Sequence, residues 1–222
     1  MFKLHGAPIS NFYSIVKMTL LEKGLDFEEV FETPSQDEAF LEISPMGKIP
    51  VLEVREGFIS ETQVIVDFLD HIYPEIPLYP RDPYQRAMVR RLCHMSEIYL
   101  DIPSRPVLSG VLTGNSVAED VKDVARQQLQ RGAKGLARVA QISPWLAGSE
   151  FSMADIYVYY TLGLAEFVGS SQLGLNLLDY LPGFAEWKAL MASRELIAEV
   201  DAGQQKAMTD YLATVAAKGN RA

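Results

Sequence analysis

Ten residues constrain this chain more than any other stretch. Residues 74–83, PEIPLYPRDP, hold four prolines. Proline has no amide hydrogen and fixes its own backbone angle, so neither a helix nor a central strand continues through them. The stretch reads as a stiff, extended linker between two domains. The chain's 222 residues suit that division, with ample core for two small domains. The expected boundaries are 1–76 for the first domain and 84–222 for the second.

Before the linker the hydrophobic period keeps switching. Residues 1–5 read as a strand, 11–24 as a helix ending at Gly24, and 26–32 as a strand. A short helix is expected over 36–42, then strands at Val51–Val54 and Phe58–Ile59 around a turn at Glu56-Gly57. After Ser60 the chain is helical, with Ile65, Phe68, Leu69 and Ile72 on one apolar face. The order β-α-β-α-β-β-α predicts helices packed on a small mixed sheet.

After the linker the whole chain reads as helix. Helices are expected near 84–111, 118–141, 152–168, 182–191 and from 194 onward, with turn signals TGNS, SPWLAGSE and LPG between them. Two prolines in YLDIPSRP, 99–106, predict a kink or break there. The clearest start is at Ser152: Asp155 stands three positions on, as in a capping box, with Phe151 and Ile156 placed for a hydrophobic staple. Met153, Ile156, Tyr157, Tyr160 and Leu164 read as one apolar stripe of a buried helix. The last residues, AAKGNRA, are small and polar, so fraying is expected over 216–222.

Charge and cysteine content remove several function classes. The net charge is −9, and the densest basic run is Arg86, Arg90 and Arg91 on one expected helix, which argues against nucleic acid as a partner. One cysteine, Cys93, allows no intrachain disulfide and points to a reducing compartment. The opening MFKLHGAP lacks a signal-peptide core, and no apolar run of about 18 residues is present, so a soluble cytoplasmic protein without a membrane span is expected. His5, His71, His94 and Cys93 are scattered and suggest no metal site.

Four motifs carry the functional reading: SNFY at the start of the first helix, SPMGKIPVLE over 44–53, SETQVIVDFLDHIY over 60–73, and the FSMAD cap at 151–155. In this order and spacing the chain resembles the cytosolic glutathione S-transferase superfamily over essentially its whole length, closest to the serine-using classes. The resemblance implies an α/β plus all-α protein. Its first domain, 1–76, is thioredoxin-like and binds glutathione; its second, 84–222, is a helical bundle.

The resemblance also implies roles for residues. Pro50 aligns with the family's proline at the start of strand three, whose preceding peptide bond is cis. Ile49 then offers its amide and carbonyl to the cysteinyl backbone of glutathione, as an added strand would. On residue chemistry alone, Pro50 reads as a strand-entry proline. Glu61 and Thr62 match the acidic-hydroxyl pair that holds the γ-glutamyl end, although Ser60 and Gln63 also have capping-box spacing. Lys48 would reach the glycyl carboxylate, or stand as a solvated turn lysine.

For the sulfur, the family run Ser-Pro-Phe matches Ser10-Asn11-Phe12, with Phe12 counted among the glutathione-binding residues. The thiolate is the nucleophile. A hydroxyl at a helix N-terminus stabilises that anion by a hydrogen bond and by the dipole. Ser10 is the favoured donor, Tyr13 the rival, and Ser14 lies inside the helix. Asn11, where the family has proline, is open to reading as cap or ligand contact. No cysteine stands here, which disfavours the mixed-disulfide branches; the SSCS of the maleylacetoacetate isomerase branch is likewise missing. Cys93 reads as core.

An electrophile pocket between the domains is implied, with Met95, Tyr99, Pro103, Arg105 and Tyr160 as candidates; Arg105 suits either an anionic substrate or a surface ion pair. The expected function is glutathione transfer to small electrophiles by a two-fold homodimer, with glutathione as substrate and no metal. The alternative is a non-catalytic binding or regulatory protein of the same build, as in stringent starvation proteins, because fold does not fix function.

Overall fold

A computed structural model of the chain describes residues 1–219. The expectation of a frayed end falls on 216–222, of which 220–222 lie outside the described residues. By contacts the chain divides into two compact units. Met1–Leu78 and Arg194–Ala207 form the first; Tyr79–Ser193 and the chain from Met208 onward form the second. The final helix therefore contributes to both, a division the linker alone did not indicate.

In the first unit, β1 (Phe2–Gly6), α1 (Asn11–Glu22), β2 (Phe27–Phe31), α2 (Glu38–Leu41), β3 (Val51–Val54), β4 (Gly57–Ile59) and α3 (Thr62–Ile72) follow the predicted order. The sheet runs β2-β1-β3-β4, with β1 parallel to β2 and antiparallel to β3, and β3 antiparallel to β4. Leu4, Leu52, Ile15, Val16, Leu20, Ile65, Val66 and Leu69 form the core. The α3 face is rotated from the predicted stripe. Val66 is buried, whereas Ile72, in the last turn, is 40% exposed.

Two features fix where α1 ends and how α3 runs on. Gly24, at φ +63°, closes α1 with paired bonds from Gly24 N to Leu21 O (2.9 Å) and Leu25 N to Leu20 O (3.0 Å). Beside it, the buried Lys23 ammonium donates to Asp70 Oδ1 (3.0 Å), Tyr73 O (3.0 Å) and Ile76 O (2.7 Å). Asp70 Oδ1 also accepts from Leu78 N at 2.8 Å. A buried charge persists only when paired and fully hydrogen-bonded, and here the pair pins the segment after α3. Arg194 joins this unit through two bonds to the Glu22 carboxylate, at 2.7 and 2.8 Å.

The second unit begins with a long helical run. It consists of α4 (Pro83–Ser96), a π turn at Glu97–Asp101, and α5 (Ile102–Thr113). The predicted interruption at the prolines is thus a single π turn just before them, inside an otherwise α-helical run. Then come α6 (Glu119–Ala137), α7 (Met153–Val168), α8 (Phe184–Ala192) and α9 (Glu195–Gly219). A second π turn at Gly169–Leu173 and a 3₁₀ turn at Leu177–Tyr180 were not foreseen. The α7 helix is also more buried than a single stripe. Ala154, Val158, Thr161, Leu162, Ala165 and Val168 are buried as well, so it is a central helix apolar nearly all round.

The start of α7 is the box expected from the sequence. Ser152 N donates to Asp155 Oδ2 at 2.9 Å and Ser152 Oγ to the same atom at 3.1 Å. The other oxygen, Oδ1, accepts from Leu146 N and Trp187 Nε1, each at 2.9 Å. Burial pushes the Asp155 carboxyl above its ordinary range, with these donors pulling the other way.

Candidate active site

Strand register brings three chain segments to one end of the first sheet. His5, at the end of β1, pairs with Val51, at the start of β3, and Leu52 pairs with Ile59, at the end of β4. The loop to α1, the segment 48–50 and the entry to α3 therefore leave the sheet side by side. Two helix N-termini open there, each with unsatisfied backbone amides and the positive end of its dipole.

Ser10 is the N-cap of α1, and its Oγ accepts from Tyr13 N at 3.3 Å. Among the described residues that is the bond its hydroxyl makes, so its own proton is not used. Ser10 is partly exposed, while Asn11 occupies the first helical position and is buried. Ser14 is a helix-interior residue whose Oγ donates back to Ser10 O at 3.2 Å. Phe12 is partly exposed.

Tyr13, the rival of Ser10 for the sulfur, turns its side chain into the fold. It is only 2% exposed. Its ring lies against Gly6, where an added Cβ would meet Tyr13 Cδ2 at 2.5 Å. Its hydroxyl donates to Glu29 Oε2, and Glu29 Oε1 accepts from Lys17 at 2.7 Å. Burial first, then the Glu29 carboxylate, hold the phenol well above the usual tyrosine range. Burial acts to raise the Glu29 carboxyl, but the Lys17 and Tyr13 bonds outweigh it and hold it below its ordinary value.

At the second segment the Ile49-Pro50 peptide bond is cis. The β1–β3 ladder starts at Val51, so Ile49 precedes it. Ser44, which the sequence reading did not single out, shapes this segment. It is buried, its Oγ donates to Lys48 O at 2.7 Å, and it accepts from Lys48 N at 3.0 Å. Gly47, at φ +62°, has no room for a side chain: a Cβ would lie 2.1 Å from Ser35 O. The Lys48 side chain is exposed.

At the third segment the predicted capping box is not formed. The N-cap of α3 is Glu61 rather than Ser60, and no side chain caps the helix. The reason is the backbone of Glu61, at φ 67° and ψ 110°, the one non-glycine positive φ among the described residues. Such a conformation costs roughly 1–3 kcal/mol and tends to occur where function requires it. It leaves the Glu61 carboxylate exposed and the buried Thr62 as the first helical residue.

The five electrophile candidates lie in the second unit, in varied settings. Pro103 and Tyr160 are buried, and Tyr99 is 49% exposed. Met95 turns toward α6, its Cε 3.6 Å from where a Cβ on Gly135 would stand. The Tyr99 carbonyl would lie 2.2 Å from a Cβ on Gly132, so α6 needs a glycine to approach the π turn. Arg105 is engaged by the buried Asp101 at 2.7 and 2.9 Å. Cys93 is buried in α4, as its core reading expected.

A four-stranded mixed sheet with a cis-proline entry to β3, followed by a helical unit, defines a protein with a thioredoxin-like domain joined to an all-helical one. Residues 4–77 match the glutathione S-transferase N-terminal domain, and residues 119–189 match the glutathione S-transferase C-terminal domain. A glutathione S-transferase of Pseudomonas putida is 37% identical over 212 residues, 96% of each chain. A stringent starvation protein A homolog of Pasteurella multocida is 28% identical over 144 residues, 64% of this chain and 65% of that one. The crystal structure of a glutathione S-transferase from Rhodospirillum rubrum superposes with a TM-score of 0.73 at 28% identity, covering 90% of this chain and 91% of that one. The chain belongs to the glutathione S-transferase family.

Proposed function

We propose that this chain is a glutathione S-transferase that holds glutathione as thiolate and adds it to small electrophiles. The observation that carries the reading is Ser10: a partly exposed N-cap hydroxyl that accepts a hydrogen bond and keeps its own proton to give. A free thiol titrates near ~8.5, so only a few per cent is thiolate at neutral pH. Lowering that value by about two units takes ~2.7 kcal/mol. One hydrogen bond to a charged acceptor supplies about 1.5–3 kcal/mol and a helix N-terminus about 0.3–1 kcal/mol, which is enough.

The other segments suit the rest of the tripeptide. Glu61 accepts from the γ-glutamyl ammonium, and Thr62 with the first amides of α3 takes its carboxylate. Ile49 pairs with the cysteinyl backbone beside Pro50, Lys48 faces the glycyl carboxylate, and Phe12 is among the residues that bind glutathione. Met95, Tyr99, Pro103 and Tyr160 remain candidates for the electrophile's wall, with Arg105 held by Asp101. A homodimer, a cytoplasmic location and a part in detoxification belong to the same reading. Among the described residues no helix is long and apolar enough to cross a membrane.

The likeness to stringent starvation protein A homologs favours one rival, a non-catalytic protein on the same fold. Calorimetry with glutathione separates the two. The transferase reading expects millimolar or tighter binding and a bound thiolate seen in the ultraviolet; no detectable binding overturns it.

A further inference from the structure

We infer that Tyr13, tied to Glu29 and Lys17, is a positioning residue that aims the Ser10 hydroxyl at the sulfur; the inference rests on the transferase reading above. The first turn of a helix frays readily, because its amides lack partners within the helix. In α1 this turn is fastened at three places. The Tyr13 ring packs under Gly6 of β1, its hydroxyl binds Glu29 of β2, and its backbone amide donates to Ser10 Oγ. Lys17, one turn on, takes the other oxygen of the same carboxylate. Glu29 can serve both because its register partner is Leu4, which puts it on the sheet face that α1 covers.

The consequence falls on one proton. The Tyr13 amide occupies one lone pair of Ser10 Oγ, so the O–H is turned away from that amide. Its direction is as fixed as the first turn that carries the amide. Tyr13 itself is no donor to sulfur here, because its proton is already given to Glu29 inside the fold. The residue that rivals Ser10 in the sequence thus acts through Ser10.

The test titrates bound glutathione thiolate by ultraviolet absorbance and measures glutathione affinity. The variants are Tyr13→Phe, Glu29→Leu and Glu29→Gln, each with Ser10 intact and with Ser10→Ala. With Ser10 intact, Tyr13→Phe and Glu29→Leu are expected to raise the bound thiol pKa by about half a unit or more, an approximately threefold loss of thiolate well below that pKa. Affinity for glutathione should stay near that of the parent. Glu29→Gln keeps an oxygen for the phenol and should titrate like the parent. With Ser10→Ala, none of the three should cause a further shift. An equal shift in both backgrounds shows Tyr13 acting on sulfur directly and overturns the inference. So does the lack of any shift with Ser10 intact, which reduces Tyr13 to packing. If Tyr13→Phe does not fold, the Glu29 pair decides alone. A parent protein with no bound thiolate sinks the transferase reading and this inference with it, and is told apart by that control.

Discussion

The helices α1 and α7 each start with a serine cap, and they spend it differently. At α7, Ser152 gives both its amide and its hydroxyl proton to Asp155, whose second oxygen takes Leu146 N and Trp187 Nε1. Every group is used, and both residues are buried. At α1, Ser10 accepts a bond from Tyr13 N and is partly exposed. The difference lies in the residue three positions after the cap. Asp155 consumes the serine's proton; Tyr13 turns its own hydroxyl elsewhere and leaves that proton available. A saturated cap is structural, and an unsaturated one is equipped to bind an anion.

The largest expected effect breaks the saturated start. Asp155→Ala strands four donors and should destabilise by about 3–5 kcal/mol in denaturant titration, more than an ordinary cap loss. A loss under about 1 kcal/mol would show that the box is not what holds the Leu146 loop, α7 and α8 together. Next comes the unsaturated start. Ser10→Ala should raise the bound thiol pKa by about two units, ~2.7 kcal/mol, while stability changes by about 1 kcal/mol or less. If the thiolate persists in that variant and vanishes in Tyr13→Phe, the donor is Tyr13.

Smaller effects sharpen the contrast. Glu61→Ala should weaken glutathione binding at least tenfold, about 1.4 kcal/mol, by calorimetry. Glu61→Gly should lose the same affinity yet gain about 1 kcal/mol of stability, because glycine adopts the φ of 67° without strain. Equal stability of the two variants would remove the strain argument. The least effect concerns pH. The Glu29 carboxyl is held below its ordinary 4.5, so its stabilising contribution is present above that value. It is lost as the pH falls through the lower folded-state value. The side chain is 43% exposed, so the loss should be about 0.5 kcal/mol or less. Acid melting curves of the parent and Glu29→Leu should converge there.

Much of this was legible in the chain. The order of strands and helices before the linker follows from period and turn residues. The Ser152 box follows from a four-residue pattern, because a cap and its partner are local. Elsewhere local spacing misled: Ser60 and Gln63 have the spacing of a box, but the Glu61 backbone moves the cap by one residue. The π turn at 97–101 lies close against α6 at Gly132, a neighbour that no window of sequence contains. Glu29 carries no local sequence signal because its partners, Tyr13 and Lys17, lie across a helix and a strand.

The sequence by itself determined the order of strands and helices before α4, the start of α7 and the family, since propensity, capping chemistry and motif order act over short spans. Only the tertiary structure decided which caps were filled. It took strand register to place Glu29 beneath Tyr13 and Lys17, and the packing of α8 to bring Trp187 to Asp155. A hydroxyl's chemistry depends on who has already claimed its proton. Those claimants, distant along the chain, meet it only when the core is built.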